Sequence, residues 1–265
     1  MKELTVREIQ QETLNVIKKI KEICDENNIK FFLVYGTLLG AIRHQGYIPW
    51  DDDFDIAMPR KDYERFIQYC IDHKEDIKPF ELMHYRTNKK YIYGIARFSD
   101  SRYFIDYQNV KNYGLGLFVD IYPLDGINPE DKTYIKKLIR KIKNVLLNGH
   151  VHYEKTGNVI KDIIKFPYYL LMKMGSVNRK IAKLDKFAQK YDFDSSNFVS
   201  CTTWEAQECY KKDFFSETIE VPFEGIKLPI TKNYDELLRV SYGDYMKLPP
   251  ENERIGHHFY HAYKK

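Results

Sequence analysis

No stretch of this chain is apolar enough to cross a membrane. The longest apolar run, FPYYLLM at 166–172, falls far short of the roughly eighteen residues a spanning helix needs. The opening MKELTVREIQ carries neither an apolar core nor a cleavage site. No secretory leader is therefore expected, and the protein is expected in the cytoplasm. Cysteine is sparse: Cys24, Cys70, Cys201 and Cys209 form no Cys-x-x-Cys pair, which argues against a zinc site and for reduced thiols packed as small core residues. No recognition motif for nucleic acid accompanies the basic residues, so no such partner is expected. Neither sign of charge dominates, the formal net charge being +4. With 43% hydrophobic and 30% charged residues over 265 positions, the chain can bury a core as one elaborated domain or as a domain with an insertion.

What the chain has in abundance is aspartate in one place. Residues 35–58 read YGTLLGAIRHQGYIPWDDDFDIAM, and four of the five residues from Asp51 to Asp55 are aspartates. Like charges held so close repel one another and cost stability unless a cation gathers them. In an extended strand Asp53 and Asp55 point to one face while Phe54, Ile56 and Met58 point to the other. That alternation offers two carboxylates to a hard metal ion and leaves the reverse side in the core. An exposed acidic turn would explain the aspartates but not the alternation behind them. A helix–loop–helix calcium site fails, because Ile56 would stand where glycine is needed and Asp62 where glutamate is needed.

Upstream, FFLVY at 31–35 reads as a short buried strand ending in Gly36-Thr37. Gly36 permits a sharp turn, and Thr37 is a suitable N-cap for a helix through Arg43. Free N–H groups at that helix start suit a phosphate. Arg43 and His44, just ahead of the acidic loop, are candidates to meet a second phosphate; Arg43 alternatively pairs with the aspartates.

Elsewhere, Thr5 to Glu8 has capping-box form, and Val6, Ile9, Thr13, Ile17, Ile20 and Cys24 recur at helical spacing to about Asn27. Pro59 starts a helix through roughly His73 whose core face is Tyr63, Phe66, Ile67 and Cys70. Within 80–107, FELMHY, YIYGIARF and RYFIDY read as antiparallel strands extending the sheet. In LFVDIY at 117–122 a lone aspartate, Asp120, is costly to bury without a partner. It is either a strand-end residue holding backbone groups or a third carboxylate beside Asp53 and Asp55. Asp125 reads as a turn residue.

From Glu130 to Lys190 the pattern is helical and basic: fifteen Lys or Arg from Lys132 onward stand against Glu154, Asp162 and Asp185. Phe166, Tyr168, Tyr169, Leu170 and Leu171 interleave with this charge, which favours an anionic membrane surface over nucleic acid as partner, with a solvated basic helical pair as the equal alternative. Three regions follow: 1–130 as catalytic core, 131–190 as basic helical insertion, and 191–265 completing the catalytic domain. Ile219 to Ile230 reads as a hairpin on Glu224-Gly225. Tyr234 to Tyr242 is a short helix closed by Gly243, and Pro249-Pro250 is expected to end regular structure. Of His257, His258 and His261 in the tail, His257 is a candidate for substrate phosphate.

The string GTLLGAIRHQGYIPWDDDFDIAMPRKDYERF at 36–66 closely resembles the LicD family. The likeness continues in FVDIYPLDG at 118–126 and in VPFEGIKLPIT and YDELLRVSYGDYM between 221 and 246. Strand, Gly-Thr turn, helix and an Asp-x-Asp strand is also the layout of the nucleotidyltransferase superfamily. The expected fold is therefore α+β: a nucleotidyltransferase-like (polymerase-beta-like) mixed sheet with flanking helices and a basic helical insertion.

The resemblance implies metal-dependent transfer of a phospho-alcohol, typically phosphocholine from CDP-choline, to a sugar hydroxyl. The acceptor would be a lipid-linked glycan, a teichoic acid or lipopolysaccharide, at the inner face of the plasma membrane, and CMP would leave. It implies that Asp53, Asp55 and Asp120 hold Mg²⁺ or Mn²⁺, with Asp120 also taking the proton of the attacking hydroxyl. Gly36, Thr37, Arg43, His44, Trp50 and Asp52 would face the substrate. Choline would want an aromatic cage, for which Trp50, Trp204 and the tyrosines are available. Fukutin-like enzymes, similar in this motif, make ribitol phosphate an alternative cargo, and glycerol phosphate is another. An Asp-x-Asp glycosyltransferase acting on a nucleotide-sugar is the competing class.

Overall fold

A capping box starts the first helix. In the computed structural model, which describes residues 2–107, 113–149, 153, 155–205, 208–256 and 260–265, β1 (Lys2–Glu3) is followed by α1 (Val6–Glu26). The Glu8 N–H donates to the Thr5 hydroxyl and the Thr5 N–H donates to the Glu8 carboxylate, which satisfies two otherwise orphaned donors. Ile9, Thr13, Ile17, Ile20 and Cys24 are buried as their spacing predicts. Next come β2 (Phe32–Leu33), α2 (Tyr35–His44), β3 (Asp55–Pro59) and α3 (Arg60–Asp72), the last burying Tyr63, Phe66, Ile67 and Cys70.

The middle of the chain holds β4 (Phe80–Met83), β5 (Ala96–Asp100), β6 (Tyr103–Tyr107) and β7 (Leu117–Ile127), then α4 (Lys132–Gly149), α5 (Val159–Lys173) and α6 (Val177–Ala188). The remainder is β8 (Phe198–Ser200), β9 (Tyr210–Lys211), β10 (Thr218–Phe223), β11 (Ile226–Thr231), α7 (Tyr234–Tyr242) and β12 (Tyr260–Lys264). The result is a mixed α+β architecture.

The main sheet runs β2-β3-β7-β5-β4, with β8 and β9 continuing from the far end of β7. Only β3 and β7 pair in parallel; the other neighbours are antiparallel. All eleven residues of β7 are buried, as a strand covered on both faces must be, and the strand is correspondingly apolar.

Four expectations are corrected. RYFIDY does not extend this sheet: β6 pairs with β12, which also pairs with β1, in a separate three-stranded sheet. YIYGI stays outside any strand because it lies against the 201–204 loop, where a Cβ on Gly94 would come within 2.7 Å of the Thr203 carbonyl. Pro249-Pro250 does not end regular structure, since β12 follows it. Asp125 is no turn residue: it is buried in β7, gripped at both oxygens by Arg60 at 2.6 Å, and accepts from the Thr202 hydroxyl. Arg60 also reaches Asp185 at 2.8 Å, so one bidentate cation ties α3, β7 and α6 together.

The insertion has its own apolar cluster, in which Leu138 and Ile142 of α4 meet Ile181 and Leu184 of α6. The hairpin expectation holds, with Glu224 and Gly225 at φ 47° and 81°, the left-handed pair that a two-residue turn of the favoured twist requires. Gly243 closes α7 at φ 65°. The four cysteines are free thiols, three of them buried. No helix among the described residues is long and apolar enough to cross a membrane.

Candidate active site

Parallel pairing of β3 with β7 sets Asp55 directly beside Asp120, and antiparallel pairing of β7 with β5 sets Asp120 beside Arg97. In-register residues of adjacent strands point to the same face, about 5 Å apart. The three side chains therefore form a row, carboxylate, carboxylate, guanidinium, across three neighbouring strands. Arg97 Nε donates to Asp120 Oδ1 at 2.6 Å, and both side chains are more than nine-tenths buried. Its guanidinium lies against the rings of Tyr93 and Phe118, at 4.0 and 4.2 Å from their centroids, and donates to the hydroxyls of Tyr107 and Tyr113.

Asp55 is only 5% exposed. Burial raises its carboxyl well above the usual range, and the charges of Asp53, Asp120 and Asp51 push in the same direction. The Tyr122 hydroxyl donates to Asp55 Oδ1 at 3.3 Å and opposes the shift. Tyr122 lies two residues beyond Asp120 on β7, on the same face of the sheet.

Thr37 does not cap α2, because that helix begins two residues earlier, with Val34 at its N-cap. Thr37 is buried instead, and its hydroxyl accepts the Asp55 N–H at 2.8 Å. It positions the strand that carries the carboxylate. Gly36 lies against the acidic loop: a Cβ there would lie 2.8 Å from Asp51 Oδ2, so that side chain would have to shift. The first turn of α2 thus receives the Asp51 carboxylate, which suits the positive end of the helix dipole.

The acidic loop is held from two sides. Gln10 of α1 donates to the carbonyls of Ile48 and Asp51 at 3.2 and 2.7 Å, and the Tyr260 hydroxyl of β12 donates to the Asp52 carbonyl at 3.0 Å. Asp51, Asp52 and Asp53 remain partly exposed, and Asp53 precedes β3 rather than lying within it.

At the other end of α2, Arg43 Nε donates to His44 Nε2 at 3.0 Å and Nη1 to the Tyr245 carbonyl at 3.0 Å. Among the described residues Arg43 makes no ion pair with the aspartates. Burial, then the charge of Arg254, lowers the Arg43 pKa; burial, then Arg43, lowers that of His44. Trp50 packs edge-on to His44, and Arg254 lies over its ring at 5.8 Å. Two guanidinium groups and a neutral imidazole, whose Nε2 accepts from Arg43, thus gather on one side of the acidic loop. His257 lies outside the described residues.

Arg97, Tyr122, Gln10 and Tyr260 were not among the residues picked from sequence. A signal existed for Arg97: a charge inside an apolar strand needs a partner, by the same argument that singled out Asp120. Among the described residues, no three His, Cys, Asp or Glu side chains converge closely enough to enclose a metal ion by themselves. A cleft of about 740 Å³ beside α3 and β4 is lined by none of these carboxylates.

A carboxylate row at a parallel strand pair, with cations across an acidic loop, suits a group-transfer enzyme handling phosphates. Residues 28–141 match the LicD/FKTN/FKRP nucleotidyltransferase domain. Lipopolysaccharide cholinephosphotransferase LicD of Haemophilus influenzae is 32% identical over 275 aligned positions, covering 99% of either chain. An uncharacterised protein of Rickettsia typhi is 30% identical over 157 residues, covering 59% of this chain and 47% of its own. Mannosyltransferase regulator 4 of Saccharomyces cerevisiae is 25% identical over 152 residues, 51% of this chain and 12% of the yeast protein. The chain belongs to the LicD family and is a transferase of the LicD type.

Proposed function

We propose that this protein transfers phosphocholine from CDP-choline to a sugar hydroxyl of a lipid-linked glycan, a lipopolysaccharide or teichoic acid, on a nucleotidyltransferase-like fold. The observation that carries the reading is the row of Asp55, Asp120 and Arg97, taken with full-length likeness to a lipopolysaccharide cholinephosphotransferase.

The donor set fits a hard divalent cation. Burial, and then the charges of Asp53, Asp120 and Asp51, raise the Asp55 pKa, and a cation would relieve the repulsion. Asp53 and Asp55 would hold Mg²⁺ or Mn²⁺, with Asp120 beside them; such ions take one or two carboxylates and complete their shell with substrate phosphates and water. When bound, the ion supplies neutralisation of the diphosphate's charge.

The chain's own groups do the rest. Arg43, His44 and Arg254 face the phosphates across the acidic loop. Asp120, which accepts from Arg97 closely at Oδ1 (2.6 Å) and only loosely at Oδ2 (3.4 Å), accepts the proton of the attacking sugar hydroxyl at Oδ2. The new bond forms between that oxygen and the choline-bearing phosphorus. The bond to the bridging oxygen breaks, and CMP departs with the electron pair.

Trp204 supports choline as the cargo. It lies 6.5 Å from the ring of Tyr122 and 6.1 Å from that of Tyr93. With Glu205 and Glu208 it lines a cavity of about 430 Å³ beside α4. An aromatic face with two carboxylates suits a quaternary ammonium. Trp50 suits it less, because Arg254 already occupies its face.

The test offers CDP-choline, CDP-ethanolamine, CDP-ribitol, CDP-glycerol and a UDP-sugar with Mg²⁺ and a lipid-linked glycan, and measures CMP and UDP. CMP from CDP-choline is expected, with Asp55→Asn slower by at least about a hundredfold. UDP release from the nucleotide-sugar, or undiminished turnover in the variant, overturns the reading.

A further inference from the structure

Not one residue of α5 is buried, although the helix is rich in apolar side chains. Val159, Ile160, Ile163, Ile164, Leu171 and Met174 stand 59–74% exposed. At 100° per residue Ile160, Ile163, Ile164 and Leu171 fall on one stripe, flanked by the exposed Lys161 and Lys165. The opposite face is the seated one. Tyr153 donates its hydroxyl to Asp162 at 2.9 Å and packs its ring on Phe166 and Tyr169, while Lys173 reaches the Asn148 carbonyl at the end of α4. The helix is therefore held to the insertion by its polar-aromatic side and turns its aliphatic stripe outward.

Leaving such a stripe in water is unfavourable. Its fifteen residues span about 22 Å, too little for a hydrocarbon core of about 30 Å, so α5 suits a position in an interface rather than across it. The charge of the region says which interface. From Lys132 to Lys190 fifteen cationic side chains face three acidic ones. A second copy pressed against this face would bring lysine against lysine, whereas an anionic surface would neutralise them.

We propose that α5 docks the protein on an anionic lipid bilayer, with the Ile160–Ile164–Leu171 stripe at the acyl boundary and Lys161 and Lys165 on the headgroups. The experiment needs no substrate and stands apart from the transfer reading. Full-length protein is floated with vesicles of phosphatidylcholine alone or mixed with phosphatidylglycerol, at low and high salt. Binding to the mixed vesicles is expected, weakened by salt. Ile160→Glu/Ile164→Glu should lower it at least about tenfold, and Lys161→Gln about fivefold, with circular dichroism unchanged because none of these side chains is buried. No binding by the parent protein, or equal binding by the Ile160/Ile164 variant, overturns the proposal. So does a parent dimer that the variant dissolves, with vesicles unbound by either.

Discussion

Arg97 and Asp120 face each other across β5 and β7 with both side chains under a tenth exposed. Removing one partner of such a pair strands a charge in the core at a cost of about 3–5 kcal/mol, whereas neutralising both costs far less. Arg97→Met should therefore lower the melting temperature by roughly 10 °C. Arg97→Met/Asp120→Asn should recover most of that loss while remaining inactive. Differential scanning calorimetry with a turnover assay checks both, and a double variant no more stable than the single one contradicts the pairing argument. At this scale the sequence was readable where chemistry was dense. Four aspartates in five positions announce themselves, and Asp120 stands out in an apolar strand. Thr37 was misread because a hydroxyl after glycine looks like a cap, while its actual partner, the Asp55 N–H, is eighteen residues away.

Elements were legible where the signal was local. The capping box of α1, the period of α3, the Glu224-Gly225 turn and the glycine closing α7 all lie within a few residues of what they determine. Strand partnership was not: nothing within RYFIDY says that its neighbour will be β12 rather than β5. The junction of α2 with the acidic loop offers a test of how elements position the site. A Cβ on Gly40 would meet the Gly46 carbonyl at 2.5 Å and the Ile48 N–H at 3.2 Å. These are backbone atoms that can yield only if the loop moves. Gly40→Ala should cost about 1–3 kcal/mol in urea unfolding and should also depress turnover. Gly225→Ala, with open space around it and only its φ of 81° at stake, should cost about 1 kcal/mol and leave turnover intact. Equal activity in the two variants counts against the loop's dependence on α2.

The molecule as a whole carries a pH signature in His84. The residue is 1% exposed beside the rings of Tyr63 and Tyr85, and burial, helped by the charge of Arg86, pushes its pKa from 6.5 down to about 3. Between those values the unfolded chain binds a proton that the folded one refuses. The stabilisation is thus full above 6.5 and is lost as pH falls toward 3, at a slope of up to about 1.4 kcal/mol per pH unit. Urea unfolding at pH 7, 6 and 5 should show a steeper decline for the parent than for His84→Gln, and parallel lines remove His84 as the source. By itself, the sequence determined the acidic loop, the amphipathic helices and the basic, apolar α5, because each follows from residues within a turn or two of one another. Only the tertiary structure decided that β3 lies parallel to β7 with Asp55 level with Asp120, and that Arg97 completes the row. Register between distant strands is chosen by which faces the assembled core can bury, and no local pattern holds that information.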